Sequence, residues 1–308
     1  MADNSIDSKD LKKNVFLDDL GGGVVDPTEL VAMWYENGKD WNFMPGILEK
    51  LIGLGCLSEE EFEAMIVKEM ENLPKDDYLE RLKKGDLDVN VRKECLEWIW
   101  KAHTHYGFTE QCFALAVNYY DRFMSLYELP RGATWAHQLL AVACLSLAAK
   151  MEQVEVPLTV DLQVGKPKAF FDGKTIQRME LMVLNALGWK LHACTPYTFI
   201  YHFLIKMVND QLPLRPLIAK ALQIIPSIIK GIEFLDFKPC EIAAAVAWSV
   251  LGKKEAIETD KALSCFKQVE KDNVFKCVQM IHDLKLVSLA SSSNGVLEAA
   301  SMSCKADE

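Results

Sequence analysis

Apolar positions recur along most of this chain at steps of three and four, the spacing of one helix face, and strict two-residue alternation is hard to find. One stretch departs from the amphipathic stripe. In TWAHQLLAVACLSLAAK, 134–150, Ser146 is the only polar side chain between Leu139 and Ala149. A helix apolar on all sides is a buried one. Its apolar run falls well short of the roughly 20 residues needed to cross a bilayer. Ala, Cys and Ser make up much of it, which lets neighbouring helices approach closely. The pattern predicts a central helix wrapped by others, with a polar exit at Lys150, Met151 and Glu152 where function is expected.

Other elements follow from caps and breakers. Ser58-Glu59-Glu60-Glu61 has the capping-box form, and Phe62, Met65, Ile66, Glu69 and Met70 continue as a helical stripe. Pro74 interrupts it, and Tyr78, Leu79 and Leu82 resume it. The next helix is expected from Asn90 as N-cap through Val91, Cys95, Trp98, Ile99, Ala102 and Tyr106, with Gly107 as its stop. Thr109 caps a helix carrying Phe113, Ala116, Val117, Tyr120, Phe123, Met124 and Tyr127, and Pro130 and Gly132 turn the chain into the central helix. Beyond it, Pro157 and Pro167 bracket a short helical segment. A fifth helix over 175–187 sets Ile176, Met179, Met182, Val183, Ala186 and Leu187 on one face and stops at Gly188.

A second group opens at Thr195-Pro196, an N-cap with proline at the first helical position. Apolar helices are expected over 197–207, 214–234, 241–251 and 273–286, with 257–268 ambiguous. The segments QLLAVACLSLAAK (138–150) and EIAAAVAWSVLGK (241–253) align without gaps, and each is third in its run of helices. Duplication of a five-helix unit explains this better than shared composition, and the period is domain-sized rather than that of a solenoid. The expected layout is a weakly ordered extension at 1–57, an N-terminal helix and first unit at 58–193, a second unit at 194–287 and a polar tail at 288–308.

Composition narrows the function. Half the residues are hydrophobic, and 44 acidic against 34 basic side chains leave a net charge of −10, which argues against a grip on nucleic acid. Nothing resembles a signal peptide or a membrane span. The nine cysteines are scattered without C-x-x-C spacing, so they are expected as reduced packing residues in a cytosolic or nuclear compartment. In GKPKAFFDGKT (165–175), Lys168 stands where a phosphate loop needs glycine. His103 and His105, two apart on a helix, face different ways and make a poor metal pair. No nucleophile constellation is found, so no active site, metal or cofactor is expected.

Two sets of charges need partners. Asp121 shares an apolar face with Val117 and Met124. A buried carboxylate needs a cation; Arg92 on the preceding helix is the preferred one, with Arg122 pointing elsewhere, and a solvated edge is the alternative. Lys150 ends the central helix, where a cation already complements exposed carbonyls. Glu180 shares a stripe with Leu184. If the two helices end side by side, Lys150 and Glu180 flank an apolar strip of Leu184, Met151 and Trp189, an arrangement suited to gripping the backbone ends of another protein's helix.

Arg92 with Trp98, AVNYYDRF (116–123), LAAKME (147–152) and RMELMVLNALGW (178–189) together resemble a cyclin. Leu73-Pro74 with Asp77-Tyr78, the Thr195-Pro196-Tyr197 opening and the Gly295–Ala300 stretch GVLEAA resemble a plant D-type cyclin. The resemblance covers about 58–300. It implies an all-α fold of two tandem five-helix cyclin domains, and a non-catalytic regulatory subunit that activates a cyclin-dependent serine/threonine kinase at G1/S. It also implies a location in the nucleus and the cytoplasm.

By the family pattern, Lys150, Met151, Glu152, Glu180, Leu184 and Trp189 bind the kinase, and Arg92 and Asp121 form an internal salt bridge. The substrate-docking patch maps to Val91, Glu94, Trp98 and Gln138, with Glu94 where many cyclins have an aliphatic residue, a change that favours a basic neighbour to the docked motif. Retinoblastoma-type proteins and kinase inhibitors are further partners the family brings. The pocket-protein motif L-x-C-x-E has its nearest match at Leu54, Cys56 and Glu59, with the glutamate one place late and facing away in an extended peptide. A transcription adaptor of the same fold and a helical-repeat scaffold are the alternatives; the acidic charge weighs against the first and the domain-sized repeat against the second.

Overall fold

The computed structural model describes residues 58–130, 132–152, 156–165, 169–208, 214–251 and 268–284. The expected extension and tail, and nearly all of the ambiguous 257–268 piece, lie outside the described residues. The first described helix, α1 (Glu59–Met70), starts where its capping box dictates: the Ser58 hydroxyl accepts the Glu61 N–H, and the Glu61 carboxylate accepts the Ser58 N–H at 2.8 Å. A short α2 (Tyr78–Lys84) precedes α3 (Val89–Tyr106). The N-cap of α3 is Asp88 rather than Asn90; its carboxylate accepts the N–H groups of Asn90 and Val91 and adds a negative charge at the positive helix end. Thr109 caps α4 (Glu110–Leu126) as expected.

The central helix α5 (Thr134–Glu152) is buried at every position from Leu139 to Ala149, and α3, α4 and α6 (Gly173–Ala186) pack around it. Helix α6 begins earlier than expected because Asp172 caps it, accepting the N–H groups of Lys174 and Thr175. Between α5 and α6 the sequence predicts a short helix, but the described residues 156–165 form turns. These turns are tied down from outside: Trp98 donates its indole N–H to Val164 at 3.3 Å, Tyr106 donates to the Asp161 carbonyl, and the Gln163 side chain both donates to and accepts from the Phe171 backbone. These bonds add to local turn bonds, in which the Asp161, Gln163 and Val164 N–H groups donate to Leu158, Val160 and Leu162.

The second domain repeats the plan. Helix α9 (Pro239–Leu251) is buried from Cys240 to Ala247, and α7 (Pro196–Met207), α8 (Leu214–Lys230) and α10 (Lys271–Asp283) pack on it. The central positions of α5 and α9 match the sequence echo. Helix α8 stops at Lys230, short of the predicted 234. Gly231 is extended there, a 3-10 turn (Ile232–Phe234) follows, and Arg92 of the first domain takes the Lys230 carbonyl at 2.8 Å. Helix α1 lies across to the second domain, with Phe62 stacked on His202 at 4.3 Å and meeting Phe199 and Phe203 edge-on.

Some face predictions fail: Met70 and Tyr127, each expected on an apolar stripe, are exposed. Met182, expected on the inner face of α6, is exposed, whereas Glu180 and Leu184 are buried with Ile176, Met179 and Val183. The inner arc of α6 is rotated toward the Glu180–Leu184 side, which carries Met182 out of the core.

Candidate functional site

The last turn of α5 brings Lys150 to the surface, with Met151 and Glu152 half-buried beside it. Because α6 packs along α5, Glu180 comes within reach, and the Lys150 ammonium contacts both carboxylate oxygens, at 2.7 and 2.8 Å. The two sides differ in exposure: 43% of the Lys150 side chain is accessible and 7% of Glu180. The sequence puts these charges on either side of an apolar strip; the structure closes them on each other, with Leu184 buried in the next turn of α6. The reason is the rotation of α6 that buries Glu180.

Trp189 lies just beyond that helix and is 55% exposed. Its φ of +62° makes it the one non-glycine in the left-handed region among the described residues, directly after Gly188 at +60°. That conformation costs an ordinary residue about 1–2 kcal/mol. The turn is closed by the Trp189 N–H donating to Leu184 at 2.9 Å and the Gly188 N–H donating to Asn185.

Arg92 and Asp121 meet as the burial argument requires. Arg92 donates from Nε and Nη2 to the two Asp121 oxygens, each at 2.8 Å. Burial opposes the guanidinium charge, but Asp121 beside it more than compensates, and the Arg92 pKa is raised. Two partners were not visible in sequence. Tyr78 of α2 donates to Asp121 at 2.7 Å, and Arg92 reaches the carbonyls of Ile229 and Lys230 at the end of α8. The pair therefore ties α2, α3 and α4 of the first domain to the end of α8 in the second. The only advance signal was the apolar setting of Tyr78.

Val91, Glu94 and Trp98 share a face of α3, and α5, which carries Gln138, packs against that helix. Glu94 is exposed, while Trp98 is half-buried with its N–H committed to Val164. Leu54 and Cys56 lie outside the described residues. Glu59 is in the first turn of α1 and paired with Lys206, so it is not part of an extended peptide: the Ser58 capping box draws it into the helix. His103 is buried against Trp100 and Phe113 while His105 is exposed. Among the described residues no group of metal-ligating side chains gathers, and no helix is long and apolar enough to cross a membrane.

This architecture has known counterparts. The chain matches the family model "Cyclin, N-terminal domain" over residues 60–192 and "Cyclin, C-terminal domain" over 194–303. A viral cyclin from herpesvirus saimiri is similar in fold, with a TM-score of 0.54 at 17% identity, over 66% of this chain and 87% of that one. The class that the fold defines is thus the tandem cyclin-fold protein. Cyclin-D4-1 of Arabidopsis thaliana is 49% identical over 79% of this chain and 80% of its own length, and Cyclin-D4-2 of the same plant is 48% identical over 80% and 83%. Cyclin-D4-1 of Oryza sativa subsp. japonica is 42% identical over 79% of this chain and 71% of its own. The chain belongs to the cyclin family, among the D-type cyclins of plants, and is a regulatory partner of a cyclin-dependent kinase in the cell cycle.

Proposed function

We propose that this cyclin activates its kinase at the G1/S step by docking the kinase's regulatory helix on the Lys150–Glu180 face. The observation that carries the proposal is the pair itself, a half-exposed lysine locked onto a buried glutamate where α5 and α6 run side by side. An ammonium has three N–H groups, and the two Glu180 oxygens occupy two at most, so Lys150 retains a donor for a carbonyl of the incoming helix. Leu184 and Trp189 supply apolar contact, and Met151 and Glu152 border the site. A cyclin bound in this way favours the kinase conformation whose helix glutamate meets the ATP-site lysine and whose activation loop is released. It acts by differential contact with one conformation, and no catalytic step is assigned to its own side chains.

The test is the folded double variant Lys150→Ala with Glu180→Ala. Removing Lys150 alone would leave Glu180 as a buried, unpaired carboxylate, so the double change separates docking from folding. Kinase activation is expected to vanish while the helical signal and melting profile persist; full activation by the folded double variant removes the assigned pair.

Three further assignments belong to the same proposal. Val91, Glu94, Trp98 and Gln138 form a substrate-docking face on which Glu94 favours motifs with a basic neighbour. Retinoblastoma-type proteins and kinase inhibitors are its further partners. For the first of these, whose nearest motif is Leu54, Cys56 and Glu59, Ser58→Glu restores the spacing after Cys56 and is expected to strengthen binding to a pocket protein; unchanged binding shows that the one-place shift of the glutamate is not what limits docking. The protein acts in the nucleus, with a share in the cytoplasm, and exclusion of a tagged chain from nuclei overturns that assignment.

A further inference from the structure

Arg122 is 5% exposed, and its neighbour Asp121 is turned away to Arg92. Among the described residues no carboxylate lies within ion-pair distance of the Arg122 guanidinium. A buried cation without an anion persists only where other acceptors are arranged around it. Here they are backbone carbonyls of one short segment. Nη1 donates to Lys190 at 2.9 Å and more weakly to the Asn118 side chain at 3.4 Å, and Nη2 donates to Leu187 at 3.5 Å. Those two carbonyls bracket Gly188 and Trp189, the consecutive left-handed residues. Three residues earlier on α4, Tyr119 donates its hydroxyl to Leu191 at 2.6 Å. One face of α4 thus holds the backbone on both sides of a half-exposed tryptophan.

A tryptophan has no intrinsic preference for that conformation, and such a residue stays there only when its surroundings over-determine it. The turn's own backbone bonds close the helix, but they do not fix the segment against the rest of the domain. The fork geometry of a guanidinium does, because it can address two carbonyls in a set direction where an ammonium is a single rotatable point charge. We infer that Arg122 is a positioning residue for kinase docking: it touches no kinase atom, and it holds the Gly188–Trp189 turn so that the Trp189 ring is presented at the end of α6. This rests on the docking role proposed above for Trp189.

The test is a double-mutant cycle on affinity for a purified cyclin-dependent kinase subunit, using Arg122→Lys, Trp189→Ala and the two together. Trp189→Ala is expected to weaken binding about tenfold, and Arg122→Lys by a similar factor. Arg122→Lys is expected to add less than about twofold once Trp189 is gone, because the group it positions is absent. If it weakens binding by the same factor in both backgrounds, Arg122 merely supports the fold and the inference falls. If Trp189→Ala alone leaves affinity unchanged, the docking role of Trp189 fails first and takes the inference with it, so the two failures are told apart. Should Arg122→Lys not fold, Trp189→Gly is added to it. Glycine adopts the left-handed region without strain, so recovery of folding supports the role, and a double variant that still does not fold overturns it.

Discussion

Among the ion pairs of the first cyclin domain, two that its sequence singles out have nearly equal length, 2.8 Å for Arg92–Asp121 and 2.7 Å for Lys150–Glu180. They differ in what surrounds them. Both side chains of the Arg92 pair are under 5% exposed, and Tyr78 and two α8 carbonyls add further hydrogen bonds to it. The Lys150 side chain is half open to solvent. Equal distances therefore describe unequal chemistry: the closed pair is a bolt between four elements, and the open one keeps a face for a partner. Residue type follows the same division. Arginine's planar fork suits several fixed acceptors at once, whereas a lysine on a flexible stem can redirect a donor.

The largest expected effect comes from breaking the closed pair. Asp121→Ala leaves Arg92 buried without its anion, a change that costs about 3–5 kcal/mol. Urea denaturation of the variant measures it, and a loss no greater than that of Lys150→Ala with Glu180→Ala would erase the distinction between bolt and docking pair. Tyr78→Phe keeps the pair but deletes its third bond, an expected loss of about 1.5–3 kcal/mol by the same measurement, since the acceptor is charged.

A third carboxylate sharpens the contrast. Glu69 of α1 is fully buried, and what it meets in the second domain is the Cys240 backbone N–H at 3.0 Å and the Cys240 thiol at 2.8 Å, with Lys238 and Glu241 nearby. Burial outweighs these hydrogen bonds and pushes its pKa from 4.5 up to about 7. The native state therefore holds this proton more tightly than the unfolded chain. Stability from this group is present below pH 4.5 and declines as pH rises to about 7, then levels off. Glu69→Gln should remove that slope between pH 4.5 and 7, seen as urea midpoints of variant and parent across that window; parallel curves would show that Glu69 does not carry it.

The smallest expected effect is at the exposed face of α3. Glu94→Leu should change the unfolding free energy by no more than about 0.5 kcal/mol, the usual range of surface changes, and shift substrate preference away from motifs with a basic neighbour. Competition between two docking peptides, with and without that basic residue, reads the change directly.

Much of this molecule was legible along the chain. The all-round apolar character of α5 marked it as central, the matching stretch in α9 disclosed the duplicated domain, and Ser58, Thr109 and Thr195 announced three helix starts. These features depend on contacts within one turn or on a periodicity that any core imposes, so the order of residues suffices to determine them. The Arg92–Asp121 partnership was legible for a related reason: a carboxylate on an apolar face has few ways to remain charged.

Tertiary structure decided the remainder. The segment after α5 became turns, with Trp98 and Tyr106 of α3 bonding its carbonyls and its own Gln163 side chain reaching out to the Phe171 backbone. Helix α8 ended where Arg92 took its last carbonyls, and α6 rotated to bury Glu180 and expose Met182. Whether Lys150 and Glu180 would stand apart or meet, and which carbonyls Arg122 would find, depended on how helices far apart in the chain lie against each other. A linear pattern records which face of a helix is apolar; the rotation and reach that bring polar groups together are set only when every helix has packed against its neighbours.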